Sequence, residues 1–579
     1  MERAQPKDIS ILLSGEAGQG LQTLEKLLLN VFKRSGFHVY SYSEFMSRIR
    51  GGNNSTEIRI STSPVSSCRK MIDVIVPFTS SALERFVKRI TPQTLIFGDR
   101  ELIPENYYKD GFSIVSIPLT QMARDAGGAT VLNMIVLGVL SGFLGVEFPV
   151  VETQLVSSLS SNDSARLARN LTAATRGHAA GSLLRNQFPD TLPVIERTNS
   201  PANTMLLNGI DAVGMGGLAG GCNFVASYPM SPSTGVLVFF ARQAHDFGVV
   251  VEQAEDEISA VNMALGAWYA GGRALVTTSG GGFALMVEGL SLAGAVESPL
   301  VIHVGQRPGP ATGLPTRTEQ ADLEHALYSG HGEFPRAILA PGTVEEGFSL
   351  TRHAFRLADT YQVPVIILTD QNFLESYHLV NILETGNLSI ENRIVRTDDD
   401  YRRYAVTDDG VSPRGIPGYG EGIVCADSDE HDEGGYITED MDVRIAMVQK
   451  RLKKLPALEA EAIPPTLVGK VPCTYLVVGW GSTFHVVNEA LEALGYGDIA
   501  FLHFSQVYPL HEGTAGLLSQ ARKRIIIENN STGQFCRLIK MHTGIDFDER
   551  ILKFDGMPFM LEDVVARLES IVKEATDDR

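Results

Sequence analysis

The chain has 579 residues, with 49 Lys and Arg against 68 Asp and Glu, and a formal charge of −19 with neutral histidines. At roughly 100 to 200 residues per domain this length predicts about three to five domains. A composition of 44% hydrophobic and 20% charged residues excludes disorder, collagen and coiled coil as the main architecture. So negative a surface repels phosphodiester backbones and anionic lipid, which argues against nucleic-acid and membrane partners and leaves small molecules and other proteins.

The five cysteines, Cys68, Cys222, Cys425, Cys473 and Cys536, are widely spaced and form no CxxC pair, so no disulfide framework, zinc site or iron-sulfur site is encoded locally. The polar start at residues 1–9 lacks the apolar core of a signal peptide, and a cytoplasmic, reduced chain is expected. The first segment opens with an apolar strand at 9–13, a glycine turn at 14–20 and a helix at 21–32. Apolar runs at 72–77, 94–97 and 113–117 alternate with polar or helical stretches, which predicts a parallel sheet. The most apolar window, 129–146, reads as a buried helix, because Asn133, Ser141 and three glycines interrupt it and no basic flank follows.

A first domain over 1–185 is followed by a polar linker at 186–203. A second α/β pattern over 204–385 places strands at 224–227, 249–251, 274–276, 300–304 and 365–368, as in a doubly wound sheet. Residues 386–464 form a connecting segment, irregular from 396 to 442 and then helical over 443–454. Its acidic cluster, Asp427 to Glu433 around His431, is expected to be a solvated loop rather than a metal site. A last α/β domain occupies 465–579, with strands at 474–478, 499–503 and 524–527. The expectation is an α/β protein of three doubly wound domains.

Two places carry chemistry. The turn containing Gly15, Gly18 and Gly20 could offer backbone N–H groups to a phosphate. Its spacing is not that of a dinucleotide fingerprint, so a ligand-free turn and a nucleotide-bearing ligand such as coenzyme A stay open beside a weak NAD reading. In the centre, Glu252, Glu255, Asp256 and Glu257 precede a helix with a small-residue face. Glu257, the last acid before that face, is the one expected to point inward with a raised pKa, while dipole stabilisation of a helix start would account for all four.

Here the sequence resembles a known family. Residues 257–271, with Glu257, Ala260 and Gly266, look like the pyrimidine-binding segment of thiamine diphosphate (TPP) enzymes. Tyr228-Pro229-Met230-Ser231-Pro232-Ser233-Thr234 is similar to the YPITPST sequence of 2-oxoacid:ferredoxin oxidoreductases. Thr278-Ser279-Gly280-Gly281-Gly282, the run Gly313-Leu314-Pro315-Thr316-Arg317-Thr318-Glu319-Gln320 and His331-Gly332-Glu333-Phe334-Pro335 most resemble the α subunit of the 2-oxoglutarate type. Residues 1–185, including Ser47-Arg48-Ile49-Arg50-Gly51-Gly52, look like a γ domain fused ahead of α. Residues 465–579, with Gly479-Trp480-Gly481-Ser482 and Glu528-Asn529-Asn530, look like a transketolase C-terminal-type domain. Met230, Ser231 and Gly281 depart from the usual residues, and a hydroxyl is kept at position 231.

The resemblance implies a subunit that decarboxylates 2-oxoglutarate with coenzyme A to succinyl-CoA and CO2 and reduces ferredoxin, in the oxidative or the CO2-fixing direction. Pyruvate and branched-chain 2-oxoacids are the alternative substrates. By the same resemblance Glu257 hydrogen-bonds the N1' atom of the cofactor, and Tyr228, Pro229, Ser279 and Gly280 line its site. Ser231, Arg307 and Arg317 bind substrate, with either arginine pairing Glu319 or Asp322 as the plainer reading. No GDG motif and no cluster cysteines occur, and by the same resemblance Mg²⁺, the diphosphate site and a [4Fe-4S] cluster are expected on a separate β subunit, in an (αβ)₂ assembly. A NAD-dependent dehydrogenase and a catalytically silent scaffold are the readings from other classes.

Overall fold

The structure is a computed structural model that describes residues 8–46, 52–158, 163–188, 203–383, 385–386, 388–495 and 497–577. It divides into two compact units, Met1–Leu207 with Ser376–Ile382 and Met560–Ser570, and Asn208–Glu375 with Leu383–Phe559 and Ile571–Arg579. The Ser47–Gly51 part of the first-domain motif and most of the expected linker lie outside the described residues; the helix Ser164–Gln187 takes up the linker's first two positions.

The first unit is built on an eight-stranded sheet. Its strands Asp8–Gly15, Val74–Pro77, Leu95–Gly98 and Ser113–Ser116 run parallel, as the apolar runs predict. The other half differs from the expected parallel sheet, because Asn54–Ser61 pairs antiparallel with both Asp8–Gly15 and His38–Glu44. Polarity hid those two strands. Glu57 and Arg59 are buried in ion pairs with Arg89 and Asp8, and Ser41 and Ser43 donate to the buried Glu25 carboxylate at 2.6 and 3.1 Å. Satisfied in this way, polar side chains occupy a strand interior that hydropathy would assign to a loop.

The apolar window folds as the helix Leu132–Phe143, buried from Met134 onward. No single described helix is long and apolar enough to cross a membrane; only a bent pair, Leu119–Asp125 with Ala129–Phe143, passes on length and composition. Leu132–Phe143 packs on Ser164–Gln187 through glycines on both sides. A Cβ at Gly138 or Gly142 would meet the carbonyl oxygens of Ala174 or His178, and one at Gly177 or Gly181 those of Ile135 or Val139. The clash is with backbone and no rotamer relieves it. Gly177→Ala is therefore expected to destabilise this unit by about 3 kcal/mol and lower its melting temperature by roughly 5–10 °C, read by calorimetry.

The second unit holds a seven-stranded and a five-stranded sheet over one continuous core. In the larger sheet the order is Gln506–Tyr508, Ala337–Leu339, Pro364–Asp370, Leu300–Gln306, Ala274–Thr278, Phe224–Ser227 and Val250–Gln253, parallel except at its first pair. The smaller one orders Thr466–Val468, Ile499–Phe504, Cys473–Trp480, Ala521–Glu528 and Glu549–Leu552. The strand Gln506–Tyr508, from the last segment of the chain, completes the edge of the larger sheet, so two of the three α/β layouts share a core.

The connecting segment is irregular, with isolated bridges such as Ile394 to Arg414 and His431 to Ile437, and the helix Met441–Leu452 follows. Its acidic cluster is the solvated loop expected only in part: Ser428 and Asp429 are exposed and Asp427, Asp432 and Glu433 half-exposed, whereas His431 and Glu430 are engaged by the fold. His431 is fully buried against Tyr404, and Glu430 is claimed by Arg451 at 2.9 Å and by Arg444. These guanidiniums hold the Glu430 carboxyl down at about 2 after burial opposes them. Among the described residues no group of three or more His, Cys, Asp or Glu is arranged to hold a metal.

Candidate functional site

The larger sheet of the second unit is parallel over its centre, so its strand ends open on one edge, where doubly wound sheets bind ligands. Phe224–Ser227 runs out into Tyr228-Pro229-Met230-Ser231, Val250–Gln253 into the acids 255–257, Ala274–Thr278 into Ser279-Gly280, and Leu300–Gln306 into Arg307. One edge thus collects most of the residues singled out from sequence.

The two adjacent acids divide their work. The Asp256 side chain caps the helix Glu257–Tyr269, accepting from Ser259 N–H at 2.7 Å, so the dipole explanation holds for it. Glu257, one position on, turns inward beside Ala260, Val261 and Ala264, and only 2% of it is exposed. Its Oε1 is buried and has no hydrogen-bond partner. A Cβ on Gly282 would lie 2.5 Å from that oxygen, so the glycine leaves the carboxylate its room. Burial raises the affinity of Glu257 for its proton above the ordinary carboxylate range, against the pull of Arg307.

Arg307 is half-buried at the end of its strand and donates from Nη1 to the Ser231 carbonyl at 2.7 Å. Burial depresses its pKa, and the charges of Asp322 and Glu257 oppose that. Ser231 is exposed and caps no helix; Thr234–Phe247 has Ser233 at its N-cap, whose hydroxyl donates to Met230 O. Tyr228 is 40% exposed, and Ser279 Oγ is buried with no partner.

Arg317 sits on a different stretch of the loop, donating to Thr316 O at 2.9 Å and packed beside Gly556. That loop is pinned by its neighbour Gln320, which donates to Trp480 O at 2.9 Å, accepts from Asn529 N–H at 3.0 Å, and gives its carbonyl to Asn530 Nδ2. Glu528 in turn accepts from Trp480 Nε1, Asn530 Nδ2 and two backbone amides. The motifs 479–482 and 528–530 therefore hold the loop 313–322 in place.

Two residues at this edge went unassigned in the sequence reading, Gln306 and Asp322. Each ends with a buried polar atom lacking a partner, Nε2 of Gln306 and Oδ2 of Asp322. Asp322 entered only as a loop ion-pair partner; its place two residues after Gln320 was the available signal. The glycine turn lies in the other unit. There Gly18 and Gly20 have φ of 91° and 71°, the Gln19 side chain accepts the Glu16 N–H at 2.7 Å, and Asn133 Nδ2 donates to the carbonyls of Gln19 and Gly20. The Gln19 side chain thus occupies one backbone N–H that a phosphate would need.

Comparison with known proteins places this geometry. Residues 215–450 match the family model described as pyruvate flavodoxin/ferredoxin oxidoreductase, thiamine diphosphate-binding, and residues 10–180 that of pyruvate ferredoxin/flavodoxin oxidoreductase. The chain is 30% identical to a 2-oxoacid:ferredoxin oxidoreductase subunit alpha of Sulfolobus sp., over 98% of this chain and 97% of the relative. It belongs to the 2-oxoacid:ferredoxin oxidoreductase α-subunit family. Another relative is the 2-oxoglutarate oxidoreductase subunit KorA of Mycobacterium tuberculosis, 27% identical over 97% of this chain and 91% of the relative. Among solved structures, the 2-oxoglutarate:ferredoxin oxidoreductase from Magnetococcus marinus, with 2-oxoglutarate, coenzyme A and succinyl-CoA bound, matches with a TM-score of 0.86 and 30% identity, covering 98% of this chain and all of that one. The thiamine diphosphate-binding match of this α subunit runs from residue 215 to residue 450, so it encloses Glu257, Ser279, Gln306, Arg307 and Asp322.

Proposed function

We propose that this chain is the α subunit of a 2-oxoglutarate:ferredoxin oxidoreductase and holds the pyrimidine end of TPP through Glu257. The observation that carries this is the buried, unpartnered Oε1 of Glu257 facing the space that Gly282 leaves clear. A buried carboxylate oxygen without a donor is costly in a folded protein unless a ligand supplies one. An aminopyrimidine nitrogen is such a partner, and the raised proton affinity of Glu257 suits a shared proton at that atom. Tyr228, Pro229, Ser279 and Gly280 line the same edge, where Ser279 Oγ also lacks a partner. When bound, TPP supplies the carbon nucleophile for 2-oxoacid decarboxylation.

The chain's own residues then orient the substrate. Arg307, fixed by the Ser231 carbonyl, presents its remaining N–H groups to a carboxylate, which guanidinium matches bidentately. The Ser231 hydroxyl is exposed beside it, and Arg317 is the candidate for the second carboxylate of 2-oxoglutarate. Two relatives support that substrate, one named for 2-oxoglutarate and one solved with it, with coenzyme A as the acyl acceptor. Gly15, Gly18 and Gly20 are kept as candidate coenzyme A contacts.

Mg²⁺, the diphosphate site and the [4Fe-4S] cluster are assigned to a β subunit that passes electrons to ferredoxin, in an (αβ)₂ assembly in the cytoplasm. Ile258, Met263 and Tyr269 on the Glu257 helix are 50%, 40% and 42% exposed, and Gly266 faces open space. Such a face beside the site is what a partner subunit would cover.

The test is reduction of a viologen dye by the purified chain with and without its co-expressed partner, given TPP, Mg²⁺ and coenzyme A. Activity with 2-oxoglutarate and only with the partner is expected. Preference for pyruvate would move the substrate assignment within the family, and activity of the chain alone would overturn the half-site reading.

A further inference from the structure

The helix Val344–Tyr361 buries one side in the core of the second unit and carries a polar stripe beside it. Ser349, Arg352, His353 and Arg356 recur at spacings of three and four, so they share one face. The segment 389–393 meets that face across a cavity of about 360 Å³, and Arg273 reaches the cavity from the start of the strand Ala274–Thr278. This volume is within the roughly 300–1,000 Å³ range of small-molecule sites. All the lining residues belong to the second unit. The cavity stands at the opposite end of that strand from Ser279, roughly 15–20 Å from the cofactor edge by the rise of an extended chain.

Four guanidiniums, of Arg273, Arg352, Arg356 and Arg393, line this cavity against two carboxylates, Asp359 and Glu391. Asp359 is buried and already shared by Arg273 and Arg414. Glu391 pairs with Arg393 at 2.8 Å, and Arg356 reaches out of the cavity to Glu461 at 2.6 Å. Both pairs are solvated and hold their arginines weakly. Arg356 also donates from Nε to His353 Nδ1 at 3.4 Å, which leaves the ring proton of His353 on Nε2. That nitrogen is buried and has no partner. Arg352 and Arg356, one turn apart with like charge, work against their own helix. In a chain of net charge −19, cations gathered at such a cost mark the place of an anion.

We propose that this cavity is a binding site for a small molecule bearing a diphosphate, held by Arg352, Arg356 and Arg393 beside a fixed Arg273. Arg273 is fixed because Asp359 and the carbonyls of Gly220 at 2.9 Å and Phe355 at 3.3 Å already hold it. Arg356 and Arg393 turn to a ligand without stranding a buried charge, since the carboxylates they leave are solvated. Guanidinium meets carboxylate or phosphate bidentately, and guanidiniums from three separate elements ask for more acceptor oxygens than one carboxylate carries. A diphosphate supplies them. Bound there, it ties the helix Val344–Tyr361 to the segment 389–393 and stabilises the folded chain by mass action. The cofactor and substrate assignments use none of these residues.

The experiment is isothermal titration of the full chain with inorganic pyrophosphate and, separately, with ADP, at low and at high salt. The wild type is expected to bind, with affinity falling as salt rises and melting temperature rising with ligand. Arg356→Gln combined with Arg393→Gln should weaken binding about tenfold or more, the scale of lost charge-assisted hydrogen bonds. Ser349→Glu sets a carboxylate on the same stripe and keeps every arginine; it should weaken binding likewise, and it serves if the double variant does not fold. Equal binding of the two probes would make the inorganic anion sufficient, and tighter binding of ADP would identify a nucleotide; both support the site. Three results would overturn it: no binding of either probe at millimolar concentration, citrate binding as tightly as pyrophosphate, or wild-type affinity in whichever variants fold, which would put the anion elsewhere, as at the glycine turn.

Discussion

Glu257→Gln in the assembled complex is expected to lower turnover by about a hundredfold or more, the scale of a lost proton-handling group, while leaving the isolated chain no less stable. The second half of this expectation follows from burial. Glu257 has a folded-state pKa raised by desolvation, so the fold favours its protonated form. For such an acid the stabilising contribution is complete below the unfolded-state value near 4.3 and is lost as pH rises through the raised folded value. Glutamine cannot ionise and keeps the neutral state at every pH. The melting temperatures of wild type and variant should therefore agree near pH 4 and diverge toward pH 8, with the variant the higher. Activity and stability moving in opposite directions mark a group retained for function at a cost in folding. Unchanged turnover would remove Glu257 from the chemistry; a lower melting temperature at pH 8 would mean the carboxylate is satisfied within the chain.

Much of the central sheet was legible because its strands are buried on both faces and read as plain apolar runs. Ala274–Thr278, Leu300–Gln306 and Pro364–Asp370 are buried at every position. Glu257 was legible for a related reason: a small-residue helix face after a strand leaves few directions for its first acid. The polar strands His38–Glu44 and Asn54–Ser61 were not legible, since long-range ion pairs and hydroxyl bonds satisfy them and no local pattern announces such partners. Nor was the pinning of loop 313–322 by residues 480 and 528–530, which is a contact between segments some 160 to 210 positions apart. Asp322 falls in that class. Its carboxylate is buried against Gly280, which a single acid in a loop does not reveal.

Glu297→Gln is expected to destabilise the second unit by about 3–5 kcal/mol, the cost of removing one partner from a buried ionic group. Glu297 pairs with Lys450 at 2.6 Å and Lys454 at 2.5 Å, and all three side chains are at most 1% exposed. The two ammonium groups hold the Glu297 carboxyl at about 2 despite burial, so its contribution is complete above the unfolded-state value and is lost only as pH falls toward 2. Glu297 also has φ of 47°, a left-handed backbone that a residue bearing a Cβ adopts at some cost. In the variant both lysines lose their counter-charge. Burial already pushes Lys450 down to about 8, and without Glu297 both lysines fall further, so the fold releases protons that the unfolded chain keeps. The penalty should therefore shrink as pH rises from 7 to 9, a slope opposite to that of a simple packing defect, which is indifferent to pH. Replacing the triad together, as Glu297→Leu with Lys450→Met and Lys454→Met, should recover most of the loss, because the charges compensate one another more than they stabilise the fold. Glu297 closes the stretch that begins at Gly280, while Lys450 and Lys454 follow the irregular segment, so this triad ties the end of the site-bearing stretch to the helices that terminate the connection. A single Gln variant that melted with the wild type at pH 7 would show that water or another anion reaches the lysines.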